Sequence, residues 1–207
     1  TLFMGWMSNW LYAQEVPTET WRSAMTIARE LRLEKENDTY TISSMPVKEL
    51  KNYRGISYQE KDIKIEEETK LIDSSKIDLT SAEIRFKISD LQQSNYKFKL
   101  SNSQGDELIF GYNHPKKEFY LDRSAAGQTE FSEDFANKIS VAPRISEDTE
   151  LNGVIILDKT SIELFYDNGK TVITEIVFPN YPWEKLSITP ENGELSLDEI
   201  EAYQLKF

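Results

Sequence analysis

Ile84-Arg85-Phe86-Lys87-Ile88 and Tyr96-Lys97-Phe98-Lys99-Leu100 decide the fold class. In both runs every second residue is apolar and the residues between are cationic, the period expected of strands with one buried face. Outward from them, glycine- and asparagine-bearing turns recur at Ser103-Gln104-Gly105, Asp167-Asn168-Gly169 and Asn192-Gly193, where the backbone can adopt positive φ. Between these turns the pattern predicts strands over 107–112, 118–122, 151–158, 161–166, 171–178, 185–189 and 194–205. About ten short strands without a long amphipathic helix predict an antiparallel β-sandwich rather than an α/β fold. Residues 123–145 read as one long irregular stretch, and no repeat or low-complexity tract appears.

The first 47 residues differ. Phe3, Met4, Trp6, Met7, Trp10, Tyr12, Trp21 and Met25 crowd a segment too short to bury them alone. Strand-like runs are expected over 2–12, 21–33 and 39–44, with turns at Pro17-Thr18 and Asn37-Asp38. Pro46 closes the third run. Residues 48–58, including Gly55, read as a linker, and 59–207 as the sandwich. The start at Thr1, inside an apolar run with no initiator methionine or leader pattern, reads as a piece of a longer chain.

Composition narrows the function. The 207 residues carry 36 acidic and 24 basic side chains, a formal charge of −12, so a polyanion such as nucleic acid is repelled. No run approaches the roughly 18 apolar residues of a membrane span. Cysteine is absent, which excludes disulfides and thiolate metal sites. His114, the single histidine, has no second histidine to complete a metal set and reads as a surface loop residue. The acidic runs Glu66-Glu67-Glu68 and Asp198-Glu199 lack the glycine-punctuated spacing of a calcium loop and read as solvated faces. No metal or cofactor is expected.

Gly5-Trp6-Met7-Ser8-Asn9-Trp10, then Val16-Pro17-Thr18 and Trp21-Arg22-Ser23-Ala24-Met25-Thr26-Ile27-Ala28-Arg29-Glu30-Leu31, resemble glycoside hydrolase family 32. There a strand pair of this kind lies late in a five-bladed β-propeller. Asp122-Arg123-Ser124 with Gly127 and Phe131, and Ile162-Glu163-Leu164-Phe165 with Asp167, Gly169 and Phe178-Pro179, are similar to its C-terminal sandwich. The resemblance implies an all-β chain in which the end of a propeller (1–47) precedes a lectin-like jelly-roll sandwich. It also implies a parent enzyme that cleaves levan, inulin or sucrose with retention, working in the periplasm, at the cell surface or after secretion. The M-S-N-W and A-M-T-x-x-R-E-L stretches are more similar to bacterial levanases and inulinases than to plant invertases.

The family's chemistry needs a nucleophile and an acid/base carboxyl about 5–5.5 Å apart. In the family these lie in W-M-N-D-P-N-G-like and E-C motifs, with a third aspartate in R-D-P. None occurs in this sequence, so no catalytic residue is assigned and the chain alone is expected to be inactive, its partner being the missing propeller. Trp6-Met7-Ser8-Asn9 is similar to W-M-N-D but ends in an amide, which cannot attack. For Trp6, Asn9 and Trp10 two readings stand: contact with a fructosyl ring in the complete enzyme, or packing between blades. Trp21 reads as core. Arg22 and Arg29 read as salt-bridge partners of Glu30 or an upstream carboxylate. Tyr112, Tyr120, Tyr166 and Tyr181 read either as core and interface or as a stacking platform, the latter making the sandwich a carbohydrate-binding module without catalysis.

Overall fold

Cross-strand apolar pairs build the larger part of the chain. The computed structural model describes residues 1–36, 38–91 and 94–207. Asn37 of the expected Asn37-Asp38 turn lies outside the described residues. Three short strands open the chain: β1 (Leu2–Phe3), β2 (Arg29–Glu36) and β3 (Thr39–Pro46), hydrogen-bonded in that order and antiparallel. The expected strands over 2–12 and 21–33 are mostly turn and coil, held by one bridge between Trp6 and Met25. Two local causes explain the difference. Asn9 Oδ1 accepts the Leu11 N–H at 2.9 Å and the Asn9 carbonyl accepts Ala13 N–H at 2.8 Å, an asparagine turn that competes with extended pairing. Ser23 sits at φ 67°, which no regular strand contains.

Next come a 3-10 turn over Lys48–Tyr53, then β4 (Arg54–Ile65), β5 (Thr69–Asp73), β6 (Ser81–Ile88), β7 (Tyr96–Ser101), β8 (Glu107–Asn113), β9 (Glu118–Asp122) and β10 (Ser140–Pro143). The chain closes with β11 (Leu151–Asp158), β12 (Ser161–Tyr166), β13 (Thr171–Ile176), β14 (Lys185–Pro190) and β15 (Leu195–Leu205). These twelve strands form two six-stranded antiparallel sheets, β10-β9-β8-β7-β14-β5 and β13-β12-β11-β6-β15-β4. The span read as a linker therefore holds the 3-10 turn and the start of β4. The stretch read as irregular contains β10. β4, β5 and β10 are all at sheet edges, where one side needs no pairing and the apolar alternation is weak.

Between the sheets, Ile84 stands opposite Ile155 and Ala202, and Leu100 opposite Leu108 and Leu186. Phe98 and Phe110 stack at 5.4 Å, and Phe119 lies 3.8 Å from Tyr166 with the rings parallel. Trp183, Tyr96 and Phe98 are among the largest fully buried side chains, and burial of a side chain such as Phe98 contributes about 1.5–3 kcal/mol of transfer free energy.

The outer face of the β13–β4 sheet is also covered, and what covers it is the N-terminal segment. Val154, Ile156, Phe165 and Leu205 pack with Leu50, Ile27 and Met45. Met7, Tyr12 and Val16 pack with Phe135, Ile176 and Phe178. Inside this contact, Glu163 Oε1 accepts the Ile27 N–H at 2.8 Å, and Oε2 accepts Arg29 Nε at 3.0 Å and Arg29 Nη2. Arg29 Nη2 also donates to Thr174 Oγ1 at 2.6 Å, and its guanidinium lies 4.9 Å from the Phe165 ring centre. The partner of Arg29 is thus Glu163, far along the chain. Glu30 instead pairs with Arg32 at 2.8 Å, because β2 alternation turns the two neighbours apart.

Arg123 is a second tie. Its Nη1 lies 2.8 Å from Glu175 Oε2 and donates to the Ile176 carbonyl at 2.9 Å; Nη2 donates to the Phe135 carbonyl at 2.5 Å and to Tyr12 Oη at 3.3 Å. Two glycines permit the approach. A Cβ on Gly169 (φ 82°) would stand 2.3 Å from the Ser44 carbonyl oxygen, and one on Gly127 (φ 99°) 2.3 Å from that of Phe178.

Burial pushes the Glu163 carboxyl above its usual range, against the pull of Arg29 and the Ile27 N–H. A raised carboxyl contributes stability below its unfolded pKa that is lost as pH rises through the folded one, so at neutral pH the desolvation outweighs the attraction. Removing one partner is nonetheless expected to cost more than the pair returns, because the other charge stays buried. Glu163→Ala and Arg29→Ala should each lower the unfolding free energy by about 3–5 kcal/mol in urea titrations, and the apolar pair Arg29→Met with Glu163→Leu should recover most of that loss.

Candidate functional site

Trp6 and Trp10 flank the turn that Asn9 closes. The Trp6–Met25 bridge is framed by Met7 N–H to the Ala24 carbonyl at 2.9 Å and Thr26 N–H to the Gly5 carbonyl at 2.8 Å. Gly5 N–H also donates to Thr26 Oγ1 at 2.9 Å. From this anchored stretch the two indoles come together, ring centres 5.0 Å apart and tilted by 57°. Trp10 is 88% exposed and Trp6 half-buried. Asn9 is exposed beside them. Its Oδ1 is engaged by Leu11 N–H, so its amide N–H groups are the part suited to a hydroxyl acceptor. An apolar ring face beside amide donors can hold a sugar ring by stacking and hydrogen bonding. The three residues read from the sequence as a group are thus a group in space.

Other expected residues separate. Trp21, read as core, is 39% exposed. It stands at the end of a turn in which Arg22 Nη1 donates to Thr18 Oγ1 at 2.6 Å, which leaves the indole outside the packed clusters. That local bond, not Glu30, takes up Arg22. Tyr112 and Tyr166 are buried between the sheets, Tyr120 is half-buried, and Tyr181 is 47% exposed. Of the four tyrosines, Tyr181 is the one whose ring meets solvent freely. His114 is half-buried next to Tyr112, ring centres 6.1 Å apart. Among the described residues no group of three or more histidine, aspartate or glutamate side chains is arranged to hold a metal ion.

Asp106 was not singled out in the sequence, yet it braces the loop that carries Tyr181. Its carboxylate accepts Asn180 N–H at 2.7 Å, Asn180 Nδ2 at 2.9 Å and Asn102 Nδ2 at 2.8 Å. Asn102 Nδ2 also donates to the Tyr181 carbonyl at 2.6 Å. Burial alone would raise the Asp106 carboxyl, but these hydrogen bonds outweigh it and hold the group below its usual value. The Ser103-Gln104-Gly105 turn preceding it was the available signal, since a hairpin places its closing residues near a neighbouring loop.

A three-stranded N-terminal sheet docked on the outer face of an antiparallel two-sheet sandwich is the architecture that the comparisons with known proteins place. Residues 49–204 match "Glycosyl hydrolases family 32 C terminal" and residues 1–46 match "Glycosyl hydrolases family 32 N-terminal domain". The chain belongs to glycosyl hydrolases family 32. It is 31% identical over 206 residues to the levanase of Bacillus subtilis (strain 168), a span of 99% of this chain and 30% of the levanase. To the extracellular exo-inulinase of Aspergillus niger it is 28% identical over 189 residues, covering 86% of this chain and 33% of the inulinase. The chain therefore spans about a third of the length of these curated relatives. In fold it is similar to the crystal structure of exo-inulinase from Aspergillus awamori, with a TM-score of 0.85 and 24% identity over 99% of this chain and 40% of that one. No helix among the described residues is long and apolar enough to cross a membrane.

The Asp106 brace has a pH signature. A carboxyl depressed in the fold contributes stability above its unfolded pKa that is lost as pH falls through the folded value. Protection of the Asn180 amide, corrected for its intrinsic exchange rate, should therefore fall as pH drops below the ordinary aspartate range, ahead of global unfolding, and Asp106→Asn should show the same loosening at neutral pH.

Proposed function

We propose that this chain is the C-terminal part of a fructan β-fructosidase in which it supplies substrate contact and mechanical support rather than the reacting groups. The single observation that carries this reading is that the N-terminal segment is docked along one part and leaves apolar side chains bare along another. On one side it is locked to the sandwich through Glu163 and Arg123. Elsewhere along it, Leu2, Phe3, Met4, Leu33, Tyr40 and Ile42 remain in solvent, apolar side chains that a further surface would cover. In this proposal the remaining propeller blades of the same polypeptide pack there.

The chemistry then divides between the parts. Retaining hydrolysis requires two carboxyl groups about 5–5.5 Å apart, and the family's motifs for them do not occur among these residues. In the complete enzyme Trp10 stacks on a fructosyl ring, Asn9 donates to its hydroxyls, and Trp6 sets the angle of Trp10 through their ring contact. The substrates are levan, inulin or sucrose, no cofactor takes part, and the enzyme acts outside the cytoplasm, in keeping with the extracellular relative and with a polymer too large to import.

Purified alone, the chain should release no fructose from levan, inulin or sucrose in a reducing-sugar assay; release would overturn the division of labour. Joined to the propeller region, Trp10→Ala should raise KM or lower kcat by about tenfold or more. Its melting temperature should stay within about 2 °C of wild type, as expected for an exposed side chain. A parallel loss of stability would instead mean packing.

A further inference from the structure

A second pair of aromatic rings lies away from Trp6 and Trp10. Trp21 and Tyr181, both substantially exposed, line one groove of about 450 Å³ between the 17–21 turn and the 178–183 loop. That volume falls within the range of small-molecule and oligosaccharide clefts. The walls are stiff on both sides. Pro17 stands on one, Pro179 and Pro182 bracket Asn180-Tyr181 on the other, and proline fixes φ. The Trp21 wall is closed by Arg22 to Thr18, the Tyr181 wall by Asp106 and Asn102. Gln128 N–H donates to the Phe178 carbonyl at 2.8 Å, and the indole of Trp183 is buried beneath. Ring faces held in place before a ligand arrives lose little entropy on binding.

The chemistry of the lining selects the occupant. Exposed Gln128 and Lys159 and the Asn180 Oδ1, whose amide partner is already committed to Asp106, offer donors and an acceptor between the rings. Stacking faces beside hydrogen-bonding groups suit hydroxylated rings, and the surplus of 12 negative charges over the chain disfavours a polyanion. A neighbouring concavity of about 240 Å³ over the outer sheet is less suited. Its Lys87 and Glu199 are paired with Glu150 and Lys61, each at 2.8 Å.

We propose that the Trp21–Tyr181 groove is a carbohydrate-binding site separate from the Trp6–Asn9–Trp10 group, taking a neutral oligosaccharide segment of the polymer substrate. The naming of that polymer as a fructan rests on the functional reading above; the groove itself does not. It joins two parts of the chain, so it exists only when the N-terminal segment is docked.

The test is binding of the intact 207-residue chain to levan, inulin oligosaccharides and dextran by calorimetry and affinity electrophoresis. Trp21→Ala and Tyr181→Ala should each weaken fructan binding about tenfold, Trp21→Phe should retain most of it, and Trp10→Ala should leave the groove's contribution in place. Melting curves of all variants should coincide, since the side chains are exposed. Fructan binding lost in Trp10→Ala and untouched in Trp21→Ala and Tyr181→Ala overturns the groove and leaves the fructan reading standing. Dextran binding that depends on Trp21 and Tyr181, without fructan binding, keeps the groove and overturns the fructan reading. No binding to any of the three overturns the groove.

Discussion

The contact between Arg29 and Glu163 is the constraint around which the two parts of this chain are arranged. Both side chains are withdrawn from water, and a buried carboxylate tolerates few positions for its counter-charge. The Ile27 N–H and Thr174 hydroxyl complete the set, so the approach of the N-terminal segment is fixed in angle as well as distance. Hydrophobic contact at Met7, Tyr12, Ile27 and Met45 supplies attraction without direction. The ion pair supplies direction at little net gain.

The same constraint gathers the sandwich residues whose motifs resemble family 32. Arg123, Phe131, Glu163, Gly169 and Phe178 all belong to the docking face or touch it. Arg123 reaches Tyr12, Glu163 reaches Arg29, and Gly169 makes room for the Ser44 carbonyl. The motifs of the sandwich that looked like isolated family marks are one surface. Docking through Met7, Tyr12 and Val16, together with the segment's own bonds between Met7 and Ala24 and between Thr26 and Gly5, holds the turn on which Trp10 stands.

Legibility in the sequence followed the physics of burial. Central strands such as β6 and β7 alternate cleanly because one face meets the core and the other meets solvent or an ion pair, as Arg85 and Glu83 show. Edge strands were hidden: β4 shows few buried positions, and β10 carries Val141 in solvent and ends at Pro143. The first segment misled for another reason. Its apolar density predicts strand, whereas Asn9 and Ser23 set turns that density cannot reveal. Of the candidate site, the grouping of Trp6, Asn9 and Trp10 was readable because neighbours in sequence share a turn. The exposure of Trp21, the burial of Tyr112 and Tyr166, and the role of Asp106 were not, since each depends on partners dozens of residues away.

The placement of β15 sets an order on the birth of the molecule. This strand, the last of the sandwich in chain order, lies between β6 and β4 rather than at a rim, and its neighbours pair with it over most of its length. While the polypeptide is still being made, β4 therefore waits without a partner and β6 is paired on one side alone. The outer face to which Leu205 contributes beside Leu50 is then incomplete until β15 has been made. The early apolar segment must stay unmated through that interval, which makes the nascent chain a natural client for holding chaperones.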